Sequence, residues 1–445
     1  MPSSQTRPDH AAVVAELDRR WPEQRVAKGT ARIEALLDLL GQPQRSAPMI
    51  HLTGTNGKGS TAIMIDALLR AEGLRTGRFS SPHLVDPTER VAVDGRPIDP
   101  AVFDRAWAEL AGPVELIDAA LIDGHRLTYF EIMTALAHLV FADAPVDVLV
   151  VEVGLGGSWD ATNVADAAVA VVTPIDFDHT DLLGDSLAEI AAEKAGVIKP
   201  GSYAVLARQP PPAAAVLERR CAEVGAPALR QCVDFDLVER RLAVGGQVIR
   251  WSGAGGTIGP LSLPLHGPAM AQNAAVALAA VEAFHGLRPL EETVAEEGLA
   301  DVVAPARTEV VRRGPTVVLD TCHNPAAVQA TLATVEEAFD FSPLIVVWGT
   351  MADKDIEAVL PLLDPAVAVL VATQADAARA LPAERLGRLA ETVLGAERVM
   401  VRPQLADALD QAVELADRAG PTAGVLVAGS FRLAGQARQL LVLDR

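Results

Sequence analysis

The chain has 445 residues, half of them hydrophobic, and its 38 Lys+Arg against 58 Asp+Glu give a formal net charge of −20. That length suits about two or three domains with sizeable cores, and acidity spread along the whole chain excludes the broad basic face of a nucleic-acid binder. Cys221, Cys232 and Cys322 form no C-x-x-C pair, so neither a disulfide framework nor a zinc site is expected. The polar start MPSSQTRPDH lacks the apolar core of a signal peptide, and no uncharged apolar run reaches spanning length. A cytoplasmic protein without a membrane partner is the expectation.

In chain order, residues 31–40 have helical spacing and stop at Gly41. Met49–Thr53 reads as a buried strand, the glycine-rich loop GTNGKGS follows at 54–60, and 61–73 reads as a helix ended by Gly73. RTGRF, at 75–79, is a short strand that runs into Ser80 and Ser81. Residues 129–142 read as a helix, while 146–153 and 167–173 are β-branched strands. A helix over 186–196 opens on a capping box, Ser186 with Glu189 three residues on. Strands alternating with helices predict a mostly parallel sheet wrapped on both faces. Between about 230 and 265 the texture changes to short alternating pieces with Gly and Pro, which predict a small antiparallel sheet. A helix over 270–286 follows. The Pro-containing stretch 303–307 is a hinge candidate. Beyond it TVVLD, LIVVWG, VLVAT and VLVAGS alternate with helices, which predicts a second, Rossmann-like α/β domain. The expected boundary separates 1–304 from 305–445.

The glycine loop departs from the common phosphate-loop pattern: Leu52 stands where its first glycine belongs, and Gly59 separates Lys58 from Ser60. The chemistry still suits phosphate. Gly54, Gly57 and Gly59 let backbone N–H groups converge, Lys58 adds a charge, and Ser60 and Thr61 sit beside the positive end of a helix. Ser81 and His179 follow predicted strands and Glu152 sits at the carboxyl end of one, where ligands of open α/β sheets gather. A carboxylate and an imidazole beside a nucleotide suggest Mg²⁺ held together with phosphate oxygens. Structural readings compete: an ion pair at a strand end for Glu152, a loop histidine for His179, and a capped helix start for Asn324-Pro325 in LDTCHNP. GLGGSWDATN at 154–163 and GSFR at 429–432 are two further loops at strand ends. The residues alone reach as far as a two-domain ATP and Mg²⁺ enzyme with a second substrate.

GTNGKGS, FSSPHL with TER, TYFE, EVGLGG with DATN, DHTDLLG, EKAGV and DxxHNP occur in this order between about residue 26 and the GSF at 429. Together they resemble the folylpolyglutamate synthase/dihydrofolate synthase family of the Mur ligase superfamily. The resemblance implies an ADP-forming amide ligase of folate biosynthesis and one-carbon metabolism. In that reaction ATP phosphorylates a carboxylate of dihydropteroate or a reduced folate, and the amine of L-glutamate attacks the acyl phosphate. It implies that Gly54, Thr55, Asn56, Gly57, Lys58, Gly59 and Ser60 hold ATP phosphates, with Asn273, Arg307 and Asp320 as further nucleotide contacts. Ser81, Glu152 and His179 match Mg²⁺ ligands, two ions being implied, and Lys194 matches a lysine carried as a carbamate. With Lys58, the residues Glu152, His179 and Lys194 form the implied catalytic set. Thr128, Tyr129, Phe130, Glu131, Trp159, Asp160 and Ala161 match the pterin side, and His323 and Ser430 match positions linked to glutamate. A monomer is expected.

Three departures bear on substrate choice. Ser158 stands where the family carries arginine, and RVAKGTAR, at 25–32, is unlike the family's pterin loop. Ala306 replaces the hinge glycine, which predicts a different hinge backbone. A ligase for another acid and amine therefore competes with the folate reading, as does a nucleotide-responsive binding protein that has lost catalysis. Retention of Lys58, Glu152, His179 and Lys194 disfavours the latter.

Overall fold

The structure is a computed structural model that describes residues 10–20 and 26–443. Its described residues divide into two compact units. One runs to Arg240 and includes Ile249–Ser262 and Gln272–Val302; the other comprises Arg241–Val248, Leu263–Ala271 and the chain from Val303 on.

The first unit is built on β1 (Met49–Thr53), β2 (Thr76–Phe79), β3 (Val91–Val93), β4 (Arg96–Pro97), β5 (Val148–Glu152), β6 (Val169–Val172), β7 (Tyr203–Leu206) and β8 (Ala228–Arg230). Among the described residues these form one sheet in the order β4-β3-β2-β5-β1-β6-β7-β8. β1 runs parallel to both β5 and β6, and only the β3 and β4 edge is antiparallel. Every residue of β1 and β5 is buried, as expected of strands covered on both faces. One face packs on the helices Ala31–Leu39, Pro100–Ala120 and Tyr129–Asp143, through Leu36, Phe103, Leu110, Met133 and Phe141. The apolar cluster of Val172, Ile190, Val197, Leu206 and Leu217 lies against the helices Leu187–Lys194 and Pro211–Val224.

The alternating segment forms β9 (Asp236–Ala243), β10 (Gly246–Gly253) and β11 (Gly256–Leu263), a small antiparallel sheet with β10 in the middle. In the second unit β12 (Glu309–Arg312) and β13 (Thr316–Leu319) form an antiparallel pair. β14 (Leu344–Trp348), β15 (Val369–Ala372), β16 (Val399–Val401) and β17 (Gly424–Ala428) complete the order β12-β13-β17-β14-β15-β16. Beyond β12 this sheet is parallel, around Val346, Trp348, Leu370 and Leu426.

At the hinge Ala306 has φ 52° and Thr308 φ 50°. The chain is left-handed at residue 306 and places a side chain there against its preference. Glu309 accepts from the Ala306 N–H at 2.8 Å and pairs with Arg438 at 3.1 Å, which holds the turn. Among the described residues no helix is long and apolar enough to cross a membrane.

Candidate active site

The phosphate-loop geometry begins at the end of β1. Gly54 has φ +145°, and a Cβ there would fall on Thr173, which follows β6. Thr55 and Asn56 donate their N–H groups to the carbonyl of Pro174, at 3.0 and 3.3 Å. Gly57 has φ +88°, and the Asn273 carboxamide occupies the space a Cβ would need. That close approach brings the predicted Asn273 to the loop from the helix Pro268–Phe284.

The helix after the loop, Lys58–Ala71, starts three residues earlier than the sequence suggested. Gly57 is its N-cap, and no side chain caps this end. The first N–H groups of an α-helix have no partner within the helix. An uncapped start beside glycines therefore presents both donors and the positive end of the helix dipole to an anion.

Two lysines point into the same space. The Lys58 Nζ donates to the Gly54 carbonyl at 3.0 Å, and the Lys194 Nζ, from the last turn of Leu187–Lys194, donates to the same oxygen at 2.9 Å. Lys194 is buried. Burial, then the charge of Lys58, lowers its ammonium to about 7, against the pull of Asp178, Asp160 and Glu193. Both lysines line one pocket with Gly54, Thr55, 153–156, Asp178, His179 and Leu183.

Glu152 ends β5 in a buried position, and its Oε2 accepts the Ser81 N–H at 3.2 Å. It lies 3.5 Å from where a Cβ on Gly59 would be, an ordinary contact distance that places the carboxylate beside the helix start. Arg78 on β2 is a partner the sequence did not reveal: it donates to the Ser80 Oγ at 2.9 Å, and Asp66 and Glu152 both act on its charge. His179 is half exposed with φ 48°, and its N–H donates to Asp178 at 3.0 Å. Among the described residues no three His, Cys, Asp or Glu cluster as a metal cage. Buried Glu152 beside the phosphate loop suits Mg²⁺, which takes one or two carboxylates and fills its octahedron with phosphate oxygens and water. Glu152 and the Ser81 hydroxyl are hard oxygen donors of the right kind.

The predicted pterin-side residues separate into two groups. Phe130 and Trp159 are half-buried and lie over the glycine turn: a Cβ at Gly154 would strike the Phe130 ring, and one at Gly156 would crowd Trp159. Thr128, Tyr129, Glu131, Asp160 and Ala161 are buried. Thr128 and Glu131 cap the helix Tyr129–Asp143 reciprocally. Arg90 lies over the Tyr129 ring at 5.3 Å. Asp160 accepts from the Leu155 and Thr162 N–H groups, each at 2.9 Å, and so shapes the 154–157 turn. Burial raises the Asp160 carboxyl against these hydrogen bonds. Ser158, where the family carries arginine, donates its hydroxyl to Glu193 at 2.6 Å, beside Lys194.

Within the second unit, the Arg307 guanidinium donates to the Thr321 Oγ1 at 2.6 Å and lies 5.1 Å from the centre of the Phe431 ring. The His323 ring lies 5.7 Å from that of Phe431. Asp320 is buried and accepts from Thr308 and Cys322 N–H groups at 2.8 Å each. Ser430 caps the helix Phe431–Arg438, and Asn324 caps Pro325–Phe339. Arg307, Asp320, His323 and Ser430 therefore gather at the ends of β13 and β17.

Comparison with known proteins places the chain in one lineage. The Mur ligase middle domain matches residues 52–281, and the Mur ligase glutamate ligase domain matches 306–431. The dihydrofolate synthase/folylpolyglutamate synthase of Mycobacterium tuberculosis is 44% identical, across 96% of this chain and 93% of its own length. The solved Mycobacterium tuberculosis folylpolyglutamate synthase, complexed with ADP and AMPPCP, superimposes with a TM-score of 0.92 at 43% identity, covering 98% of this chain and 99% of that one. The Escherichia coli FolC structure in complex with DHPP and ADP gives a TM-score of 0.84 at 30% identity, with both chains covered in full at 100%. The chain belongs to the Mur ligases, in the folylpolyglutamate synthase/dihydrofolate synthase family of ATP-dependent glutamate ligases.

Proposed function

We propose that this enzyme joins L-glutamate to a carboxylate of dihydropteroate or of a reduced folate, by way of an acyl phosphate. The observation that carries the reading is the pair of lysines on one carbonyl, at an uncapped helix start beside buried Glu152. The proposed steps are these. The backbone N–H groups of 57–60 and Lys58 bind the β- and γ-phosphates of ATP. The acceptor carboxylate enters along Phe130 and Trp159 and attacks the γ-phosphorus, which releases ADP. The glutamate amine, after losing a proton, attacks the acyl carbon. Its C–N bond forms as the C–O bond to phosphate breaks, and phosphate leaves with the electron pair. Such chemistry needs positioned charge more than an enzyme nucleophile.

Ser81, Glu152 and His179 would hold Mg²⁺, which supplies neutralisation of phosphate charge. Lys194 would do so as a carbamate, formed when its neutral amine adds CO₂ and releases a proton; its burial and its lowered ammonium support that state. Asn273, Arg307 and Asp320 are the proposed nucleotide contacts outside the loop, and His323 and Ser430 are assigned to glutamate. The working arrangement proposed is a monomeric cytoplasmic enzyme with an ATP-binding part over 1–304 and a glutamate-ligase part over 305–445.

The test is a product assay with ATP and glutamate, offering dihydropteroate and tetrahydrofolate separately. ADP and a glutamylated product from either acceptor support the reading, and no acceptor-dependent ADP from any pterin compound sinks it. For the carbamate, a ¹³C resonance appearing with labelled CO₂ and missing in Lys194→Met supports the assignment; the same spectrum from both overturns it.

A further inference from the structure

Lysine is scarce in this chain: it occurs only at 28, 58, 194, 199 and 354. Lys58 and Lys194 line the phosphate-side pocket. Lys28 stands at its rim. Its Nζ donates to the Leu182 carbonyl at 2.9 Å, and Leu182 adjoins Leu183, which lines that pocket. The same ammonium lies over the Trp159 ring, 5.3 Å from its centre. Lys28 is exposed, so its charge is open to a ligand.

The position is built. Arg32 is fully buried, and its Nη2 donates to the carbonyls of Ala27, at 2.8 Å, and Gly29, at 3.4 Å, the residues on either side of Lys28. Its Nε donates to Glu131 at 3.0 Å, next in sequence to Phe130. One guanidinium thus fixes the backbone of Lys28 relative to Phe130, and Lys28 in turn reaches Trp159. Gly29, at φ +111°, gives the turn the freedom it needs.

We propose that Lys28 is a specificity-determining residue of the acceptor site, held in place by Arg32 as a positioning residue, and that it reads a second, non-reacting carboxylate on the acceptor. This rests on the folate-type reading above. The reacting carboxylate must reach the space between Lys58 and His179. A terminal glutamate on the acceptor carries another carboxylate a few bonds away, within the proposed reach of the rim. Lys28 is the lysine at that rim. Dihydropteroate, with one carboxylate, offers it nothing to pair with. Lys28 therefore favours acceptors that already carry glutamate.

The test compares the wild-type protein, Lys28→Gln and Lys28→Arg on dihydropteroate and on tetrahydrofolate mono- and diglutamate. It reads KM and kcat, or an inhibition constant where an acceptor binds without turnover. Lys28→Gln should raise KM for glutamylated acceptors about fivefold, the size of one partly exposed charge pair. KM for dihydropteroate and for ATP should hold, and Lys28→Arg should restore the preference. Thermal melting of both variants checks that the fold is retained. Equal changes on all acceptors, no change, or a loss confined to kcat or to KM for ATP would overturn the role of Lys28 and leave the ligase reading intact. A wild-type protein that neither turns over nor binds any pteroate or folate compound would overturn both.

Discussion

The ammonium groups of Lys58 and Lys194 meet at one acceptor, the carbonyl oxygen of Gly54, at 3.0 and 2.9 Å. The carbonyl carries no charge to balance Lys58, and burial lowers the neighbouring Lys194 ammonium to about 7, so Lys58 is the cation placed to take its counter-charge from a ligand. Lys58→Ala should lower the rate of acceptor-dependent ADP formation by at least about 100-fold, the usual size of losing one charge that stabilises a transferring phosphoryl group. Far-UV circular dichroism should be unchanged, because the helix Lys58–Ala71 is held by its buried face and not by this side chain. Near-normal turnover in the variant would remove Lys58 from the phosphate site.

Two histidines make the first unit acid-sensitive. His51, in the middle of β1, is fully buried with its Nε2 2.8 Å from the Thr162 hydroxyl; burial, then Lys199 and His138, lowers it to about 3. His138 is lowered to about 4 by burial. Both stay neutral in the folded protein and charge near 6.5 when unfolded. The folded state therefore binds fewer protons, and the stability each histidine contributes is complete above about pH 6.5. It is lost as pH falls toward the folded values, with a limiting slope of about 2.7 kcal/mol per pH unit for the two together. Urea unfolding at pH 7, 6 and 5 should show the decline, and His138→Leu should roughly halve it. A slope unaffected by that substitution would place the acid sensitivity elsewhere.

His10 has the opposite sign. Its ring lies 2.7 Å from Asp104 and 3.3 Å from Asp86. Burial opposes the charged form, yet the hydrogen bond and charge of Asp104, with those of Asp86, raise its pKa above the ordinary value. The contribution is full below about pH 6.5 and is lost as pH rises through the raised folded value. His10→Gln should therefore destabilise the first unit more at pH 6 than at pH 8.5, by under about 1 kcal/mol for a partly exposed pair. Equal effects at the two pH values would show that charge is not involved.

Arg32 and Glu131 form a buried pair, at 3.0 Å. Breaking it leaves an uncompensated carboxylate, so Arg32→Met should cost about 3–5 kcal/mol. Burial already raises the Glu131 carboxyl despite its partners. The double variant Arg32→Met with Glu131→Gln should recover part of the loss in chemical denaturation. A double variant as unstable as the sum of the two single changes would mean that the two side chains act independently.

Ala306 holds φ 52° with no glycine to ease it. A left-handed non-glycine residue costs about 1–2 kcal/mol, and glycine's extra freedom in the unfolded chain returns part of that. Ala306→Gly should therefore raise the stability of the second unit by up to about 1 kcal/mol, seen as a higher melting temperature. A lower melting temperature would mean that methyl packing at this buried position outweighs the backbone strain.

Much of this was legible in the sequence because the signals are local. The apolar run Met49–Thr53, the glycines at 54, 57 and 59, and the capping pair Ser186 and Glu189 each declare their structure within a few residues. What escaped reading was either masked by proline or built from distant partners. The helix Pro100–Ala120 contains Pro113, and Pro211–Val224 opens on two prolines, so both look broken in sequence. Thr128, Tyr129, Glu131 and Asp160 fall in the motifs, but their burial depends on Arg32, Arg90 and the Leu155 backbone. Arg32 and Glu131 are 99 positions apart, a pairing that no periodicity announces. Lys28 lies in the stretch where the family pattern fails, so its place beside Trp159 emerges only from the folded chain.

The Gly54 carbonyl serves as a placeholder. By accepting from both lysines it keeps two long side chains ordered and aimed inward before any nucleotide arrives, so little rotamer freedom remains to be lost on binding. On the proposed reading, an entering phosphate exchanges one oxygen for another at the Lys58 ammonium, and the carbonyl takes that lysine back when ADP and phosphate depart. The Lys58 side chain is thus held by the protein both before the nucleotide binds and after the products leave.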